Sequence, residues 1–192
     1  MANHCWNWAS INGPQESLDL LEKRIEEALS GGEANSLWAK TYPILFGKTD
    51  MPDDVYDDYG SKWFDIDFER HGERDATISG DSAWSPVSPL IFKLSKEYNL
   101  HIELEYEEPG CDFGGFYECK NGEVLRDETY PYLKYRFKCG NYEGAIDDIK
   151  DNILNDNYDT YEELCTDIQD CLEDIRMEDM EEFKQLINKV NQ

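Results

Sequence analysis

The sequence predicts an α+β fold, because the hydrophobic period changes along the chain in an ordered way. Up to residue 108, alternating segments and segments with helical spacing follow in the order strand, helix, strand, strand, helix, strand. Beyond residue 140 the spacing is helical. The first pattern is typical of a ferredoxin-like sandwich, in which helices cover one face of an antiparallel sheet. We therefore expect a ferredoxin-like domain with an added hairpin at 1–140 and an acidic helical extension at 141–192.

The first half of this pattern is predicted from three segments. Residues 3–11 alternate as a strand that Gly13-Pro14 closes. A helix follows, ended by Gly31-Gly32, with its apolar residues at helical spacing: Leu18, Leu21, Ile25 and Leu29. After a long connection over 33–60, residues 62–69 alternate again as a strand, with one apolar face: Phe64, Ile66 and Phe68.

The second half repeats the order. Residues 76–84 favour a strand, and Ser88-Pro89 supplies an N-cap and a first helical residue. The helix that follows has an apolar stripe of Leu90, Ile91, Leu94 and Tyr98. The next strand alternates over Leu100, Ile102, Leu104 and Tyr106.

An Asn-Gly pair predicts the added hairpin. Asn121-Gly122 lies between two segments of strand character, 113–119 and 124–129, and this dipeptide is a strong signal for a two-residue hairpin turn. We expect residues 132–139 to add a further strand. Lys134, Arg136 and Lys138 would line one of its faces.

The charge of the chain restricts its partners. The formal net charge is −25, which repels DNA, RNA and anionic membranes and attracts basic proteins or cations. No apolar run approaches membrane-spanning length, and the first ten residues lack the basic and apolar regions of a secretory leader. We expect a cytoplasmic protein that binds neither nucleic acid nor membrane directly.

Cysteine usage gives no sign of a metal centre or disulfides. In a cytoplasmic chain the six cysteines are expected to be reduced. The sequence contains no Cys-X-X-Cys pair, so a zinc knuckle is not expected. We expect no cofactor and no metal.

Four separated segments resemble one family. The segments "NHCWN", "YGSKWFDIDFE", "SAWSPVSPLI" and "YEEPGCDFGG" resemble the YubB-like ferredoxin-like proteins of plasmids, phages and conjugative elements, over about residues 1–120. The resemblance implies a ferredoxin-like fold without an iron–sulfur cluster. The family's activity is unassigned, so the resemblance transfers no catalytic residue to this chain. Because these elements reside in bacteria, we expect the cytoplasm to be that of a bacterial host cell.

Alternation places acidic residues on the side of the sheet that the helices leave open. If the apolar residues of both strands face the helices, Trp63, Asp65 and Asp67 face the other way, as do Glu103, Glu105 and Glu107. Trp6 and Trp8 could share that side. RNA-binding sheets of this architecture carry basic residues there, and these are missing. Two interpretations remain. In the first, the added strands or the C-terminal helices cover the aromatic residues and the acids form a solvated rim; in the second, this side is a groove for a cationic partner.

The segment EEPGCDFGG, residues 107–115, follows the last strand of the sandwich. Pro109-Gly110 suits a type II turn, and Gly114-Gly115 suits a bulge or a close backbone approach. The segment is therefore interpreted as a shaped corner. The alternative is a cation site built from Glu107, Glu108 and Asp112, since carboxylates suit calcium or magnesium.

Nothing in the sequence identifies an enzyme. The motifs HExxH, GxSxG and the P-loop are absent, and the three histidines are scattered. Cys111 and His101 could form a thiol–imidazole pair, but a structural cysteine is the simpler interpretation. We expect no catalytic residue.

The acidic tail is the strongest anomaly of the sequence. Residues 141–182 contain 16 acidic residues against Lys150 and Arg176, a net charge of −14. One interpretation is a highly soluble helical face. The other is a surface that imitates duplex DNA, with these candidate partner-binding residues: Asp147, Asp148, Asp151, Glu162, Glu163, Asp167, Asp170, Glu173 and Asp174.

These observations predict a non-enzymatic interaction protein of a phage or other mobile element. It would bind a basic host protein, such as a nuclease or another defence factor, and act as a DNA-mimicking inhibitor. The alternative is a small-ligand- or cation-binding protein, or an enzyme, that uses the open sheet face and the corner at 107–115. The sequence leaves the oligomeric state undefined.

Overall fold

The computed structural model describes residues 3–30, 36–38, 41–48 and 54–140. Within them, eight strands and four α-helices alternate with two 3-10 turns, Tyr42–Phe46 and Pro109–Cys111. The strands are β1 (His4–Asn12), β2 (Ser36–Trp38), β3 (Trp63–Asp65), β4 (Asp67–Arg70), β5 (Asp75–Ala83), β6 (His101–Glu108), β7 (Phe113–Lys120) and β8 (Glu123–Tyr130). The helices are α1 (Gln15–Ser30), α2 (Val55–Tyr59), α3 (Ser88–Tyr98) and α4 (Tyr132–Lys138).

The strands form one sheet in the order β2-β3-β5-β1-β6-β7-β8, with β4 also paired to β5. The central strand β1 is antiparallel to β5 and to β6. The run β6-β1-β5-β3 has the strand order of a ferredoxin-like sandwich, to which β2 adds one edge and the β7–β8 hairpin the other. The predicted α+β, ferredoxin-like fold is confirmed. The predicted helical extension at 141–192 lies outside the described residues.

The predicted strand over 62–69 is present but interrupted. Phe64 pairs with Ser82 in β5, and Phe68 pairs with Ile78, so β3 and β4 keep one register on either side of Ile66. At this break β5 contains Gly80, with φ +144°. The backbone of β5 and that of the break between β3 and β4 therefore approach closely at Gly80.

The core lies between the sheet and the two long helices. In β1 and β6 every second residue is buried, as half-covered strands require. The helices contribute buried stripes from the opposite side: Leu18, Leu21 and Ile25 in α1, and Leu90, Ile91 and Leu94 in α3. The predicted apolar faces of these elements are confirmed.

A buried asparagine joins β1 to the start of α3. The side chain of Asn7 accepts a hydrogen bond from the Val87 backbone N–H (3.1 Å) and donates to the Ser82 hydroxyl (2.9 Å). Ser88 was predicted as the N-cap of this helix, but Val87 occupies the cap position and Ser88 is the first helical residue. The cap has no side-chain hydrogen bond.

The chain after the hairpin departs from the prediction. Residues 132–138 are helical, not the expected strand, so Lys134, Arg136 and Lys138 do not line one face of a strand. The Tyr135 N–H donates to the Pro131 carbonyl, and the Tyr132 and Tyr135 rings lie 6.3 Å apart on one helical side. Eight residues rich in aromatic and basic side chains fit both the strand period and the helical period, which explains the wrong prediction. By contrast, Asn121 and Gly122 both have positive φ, as the predicted hairpin turn requires.

Chain contacts define two compact units. One contains Met1–Cys111 and Gly115–Glu128, and the other contains Asp112–Gly114 and Thr129–Gln192. The boundary predicted after residue 140 stays a prediction. In the described part of the chain, no helix combines the length and the apolar character that a membrane crossing needs.

Candidate functional site

The side of the sheet opposite α1 and α3, called the open face below, carries the residues that alternate with the buried ones. Along β1 these are His4, Trp6, Trp8, Ser10 and Asn12. The register places Trp6 opposite Glu107 and Trp8 opposite Glu105. Among the described residues the carboxylates on the open face include Asp65, Asp67, Glu69, Asp75, Asp81, Glu103, Glu105, Glu107 and Glu118. The predicted placement of Trp63, Asp65, Asp67, Glu103, Glu105 and Glu107 on one side agrees with the pairing.

Two exposed tryptophans lie inside acidic rows. Across the strands, Trp6 has Asp81 on one side and Glu107 on the other. Trp8 lies in the row Asp67, Ser79, Trp8, Glu105. Trp6 is 40% exposed and Trp8 is 39% exposed, although large apolar side chains are usually better covered. The open face therefore combines flat apolar surface with negative charge.

Near the edge of β3 the aromatic surface is extended by a polar contact. The Trp63 and His4 rings meet edge to face at 5.2 Å between centroids. The Nδ1 atom of His4 lies 3.4 Å from the Asp81 carboxylate. The contact between His4 and Asp81 holds the His4 ring beside the row that contains Trp6 and Asp81.

A shallow groove of about 250 Å³ runs between β1, β6, β7 and β8 on this side. Its walls include Trp8, Glu103, Glu105, Phe116, Glu118 and Arg126. The Arg126 guanidinium lies over the Phe116 ring at 4.2 Å and bonds to Glu128 at 2.7 Å. The charge of that arginine is thus shared with a carboxylate on its own strand, and the groove keeps an acidic character.

At one end of the groove lies a group of three side chains that could bind a metal ion, which the sequence analysis did not identify as a group. His101 Nε2 lies 2.8 Å from Glu118 Oε1 and 3.7 Å from Glu103 Oε1. Among the described residues these three offer ligand atoms that all lie within 4.8 Å of one another. The signal for His101 and Glu103 was their spacing of two on a strand. Glu118 could be found only from the pairing of β6 with β7.

The corner at 107–115 is not built as predicted. Residues 109–111 form a 3-10 turn, and the positive φ falls on Asp112 (55°) rather than on Gly110. The expected type II turn with Gly110 at positive φ is therefore wrong. An Asp tolerates this conformation because its short side chain can form local hydrogen bonds. The expected close approach at Gly115 is confirmed, because a Cβ there would lie 2.3 Å from the Glu128 carbonyl oxygen.

The corner carboxylates have separate surroundings. Glu107 faces the open side, whereas Glu108 is 3% exposed and its Oε2 has no hydrogen-bond partner. The Asp112 carboxylate accepts from the Tyr132 backbone N–H at 3.2 Å. Among the described residues, the group of side chains close enough to bind one metal ion is the one around His101. It does not include Glu107, Glu108 or Asp112.

Cys111 at the corner has partners other than a histidine. Its sulfur accepts a long hydrogen bond from the Asn3 amide (3.5 Å), and its thiol bonds to Glu108. That bond to a carboxylate raises the pKa of Cys111, because it stabilises the neutral thiol. His101 instead faces Glu103 and Glu118, so the structure does not form the thiol–imidazole pair considered from the sequence. Cys5 and Cys119 are buried, and burial raises the pKa of Cys5 to about 12 and that of Cys119 to about 11.

The helix side of the sheet has a cavity of opposite character. It measures about 280 Å³ and is lined by Phe46, Lys48, Tyr59, Lys93, Lys96 and Glu97. The Lys93 ammonium lies 4.8 Å from the centre of the Tyr59 ring and pairs with Asp58. Three lysines thus line this cavity, unlike the groove on the open face, whose walls include three glutamates. The nine tail residues predicted to bind a partner, from Asp147 to Glu173 and Asp174, lie outside the described residues.

A match to a protein-family model supports the class of domain. Residues 59–144 match the family model described as "Ferredoxin-like domain in Api92-like protein". Together with the strand order, this match supports an α+β protein with a ferredoxin-like domain. Protein Api92 from Yersinia pseudotuberculosis has a crystal structure that is similar over 69% of this chain and 98% of that chain, at 11% identity and a TM-score of 0.44. Among curated proteins there is no match.

Proposed function

We propose that the protein is a non-enzymatic binding protein that uses its acidic surface to bind a basic partner protein. The observation that carries the proposal is the pair of exposed tryptophans within carboxylate rows on the open face. A tryptophan face binds an arginine or lysine by cation–π attraction, and a flanking carboxylate pairs with the same cation. The open face thus combines aromatic rings and carboxylates, the two kinds of group that bind the side chains of an arginine-rich protein surface.

The spacing of the carboxylates lets them act together. Alternate residues along a strand are about 6.6 Å apart, and neighbouring strands about 4.8 Å apart. Both distances are shorter than the screening length of about 8 Å at physiological salt. The fields of the acidic rows therefore add, and they steer a cationic partner to the face.

The sign of the charge argues against a direct phosphate partner for this face. A nucleic acid would meet the carboxylates of the open face, and its own phosphates would be repelled. A basic protein that binds this face would release the counterions or the nucleic acid bound to its basic surface, because the carboxylates take their place. In the cytoplasm of a bacterial host, the partner would be a DNA-handling or defence protein.

The acidic tail would extend the same function. Residues 141–182 carry a net charge of −14. Under this proposal the tail competes with DNA for the partner's basic site, and the open face supplies the aromatic contacts. The mobile-element setting, implied by resemblance to the YubB-like proteins, makes inhibition of a host defence protein the corresponding role.

The test measures binding of a fluorescent arginine-rich peptide to the full chain at low and moderate salt. Reversing Asp67 and Glu105 to lysine changes the charge on both sides of Trp8. We expect this double variant to bind roughly tenfold more weakly, since the charge of the open face changes by four units. Trp8→Ala removes the ring alone and should cost roughly fivefold in affinity, the equivalent of about 1 kcal/mol.

The matched control reverses two acids on the helix side. Glu16→Lys with Glu26→Lys makes the same change in net charge on α1, which does not belong to the open face. If this control weakens peptide binding as much as the Asp67 and Glu105 pair, the open face is not the binding surface. An undiminished affinity of the Trp8→Ala variant would contradict the aromatic part of the proposal.

A second set of variants separates the tail from the face. Reversing Asp147, Asp151, Glu163 and Asp170 to lysine changes the tail charge by eight units. For a partner captured from host lysate, this variant should lose affinity, and duplex DNA should compete with the wild-type chain. Capture that survives tail reversal and DNA competition would show that the tail does not mimic DNA.

A further inference from the structure

Three side chains from two neighbouring strands converge at the end of the open-face groove. His101 and Glu103 project from β6 at a spacing of two, and Glu118 projects from β7. The imidazole Nε2 is 2.8 Å from one carboxylate and 3.7 Å from the other. His101 and Glu118 are about 70% covered, at 29% and 30% exposure of their side chains. Strands hold these residues, so their geometry is fixed by the sheet.

These distances match the spacing of ligands around one metal ion. Ligand atoms bound to a tetrahedral zinc ion at about 2.0–2.1 Å lie about 3.3–3.4 Å from each other. The two measured separations bracket that value, and all three ligand atoms lie within 4.8 Å of one another. Small side-chain rotations would place the three atoms around a common centre.

We propose that His101, Glu103 and Glu118 bind a divalent transition-metal ion such as zinc. One imidazole with two carboxylates suits zinc better than calcium or magnesium, which prefer oxygen ligands. A cation at this position also neutralises the repulsion between the two glutamates. The site contains no cysteine, so the lack of a Cys-X-X-Cys pair, which argued against zinc from the sequence, does not apply to it.

The site leaves part of the metal's coordination free. Three protein ligands occupy three positions, and a structural zinc site normally has four. Glu103 and Glu118 also line the groove of about 250 Å³ that contains Trp8 and Phe116. The remaining position therefore faces the groove, where water or a ligand group such as a carboxylate would complete the coordination.

The test is a titration of the full chain with Zn²⁺ in excess Mg²⁺, which occupies the nonspecific acidic surface. Isothermal calorimetry should give one zinc ion per chain. His101→Gln should lower the affinity by at least roughly tenfold, since even loss of an outer-shell partner costs about 10–100-fold. Glu118→Gln should lower it as well and serves as the second variant. Thermal unfolding of each metal-free variant checks that the fold is retained.

A histidine elsewhere provides the matched control. His71 lies 4.0 Å from Glu69 and 3.0 Å from the Thr77 hydroxyl, a pair rather than a group of three possible ligands. His71→Gln should bind zinc as the wild type does. If both histidine variants bind zinc equally, or if the wild type shows no binding above Mg²⁺, the proposal is wrong and His101 only pairs with the glutamates.

Cobalt substitution distinguishes this site from the thiols. Co²⁺ bound by nitrogen and oxygen ligands shows ligand-field bands without sulfur-to-metal charge-transfer absorption. We expect such a spectrum, and we expect His101→Gln to abolish it. A sulfur-to-metal band that persists in the His101→Gln variant would assign the metal to cysteines and overturn the proposal.

Discussion

Gly80 lies where β5 passes the break between β3 and β4. Its φ of +144° belongs to a region that other residues essentially never adopt. A Cβ at this position would lie 1.6 Å from the Asp65 carbonyl oxygen, far inside contact distance. Both the conformation and the space therefore require glycine at this position.

Gly80→Ala should be strongly destabilising. Backbone strain of about 1–3 kcal/mol adds to the overlap, so we expect a loss of more than about 3 kcal/mol in the free energy of unfolding. Gly72→Ala is the matched control, since its nearest neighbour would be the Asp75 carboxylate at 3.9 Å. Urea denaturation followed by circular dichroism measures both. Equal stability of the two variants would contradict the close approach at Gly80.

The hydrogen bond between Glu108 and Cys111 predicts a change in thiol reactivity. The carboxylate raises the pKa of Cys111, so less thiolate is present at a given pH. Glu108→Gln removes the charge, lowers the pKa of the thiol and should accelerate its alkylation by iodoacetamide at constant pH. Peptide mass spectrometry follows the rate at each cysteine. Cys5 and Cys119 are buried internal controls, and an unchanged rate at Cys111 would exclude this role for Glu108.

Between elements, the link from β1 to α3 depends on one amide. Asn7 is fully buried and bonds to the Val87 N–H, the Cys5 carbonyl and the Ser82 hydroxyl. Its removal leaves buried polar groups without partners, which costs about 1–3 kcal/mol per group. The start of α3 is thus tied to the central strand by polar contacts within the core.

Asn7→Ala should therefore lower the free energy of unfolding by about 2–4 kcal/mol. The same strand offers a matched control. Asn12 is exposed and donates to the Asp75 carboxylate at 2.8 Å, so Asn12→Ala should cost less than about 1 kcal/mol. Thermal and urea unfolding of both variants provide the comparison. A similar loss in the two would mean that burial of Asn7 does not set the cost.

The elements show which features a sequence can predict. Alternation correctly placed the faces of β1, β3 and β6, because each of these strands has one buried side. In β4 the corresponding side is only half-buried. Alternation failed at α4, where aromatic and basic residues fit both periods, and it missed β2, a strand of three residues. Asp81 and Glu118 could be assigned to the open face only from the pairing of the strands, which the local sequence pattern does not reveal.

At the scale of the whole molecule, the net charge sets how stability depends on salt. A chain with a formal charge of −25 repels itself more strongly when compact than when unfolded. Added salt screens that repulsion, with a screening length falling from about 30 Å at 0.01 M to about 8 Å at 0.15 M. Exposed ion pairs among the described residues, such as Lys23 with Glu27, contribute little to stability.

The unfolding temperature should therefore rise by several degrees between about 0.01 and 0.3 M sodium chloride. Differential scanning calorimetry at constant pH measures it. Equivalent ionic strength from potassium chloride should give the same increase, since screening does not depend on the identity of a monovalent ion. A falling unfolding temperature would show that ion pairs outweigh the repulsion between like charges.

The central position of β1 has a consequence for synthesis on the ribosome. This strand is made before both of its neighbours, because its partners run from Asp75 in β5 to Glu107 in β6. At about 5–20 residues per second, translation of the intervening stretch of roughly 100 residues takes about 5–20 s. During that time Trp6, Trp8 and Ile11 have no sheet to join. A nascent chain stalled before β6 should therefore be protease-sensitive and a substrate for chaperones that bind exposed apolar segments.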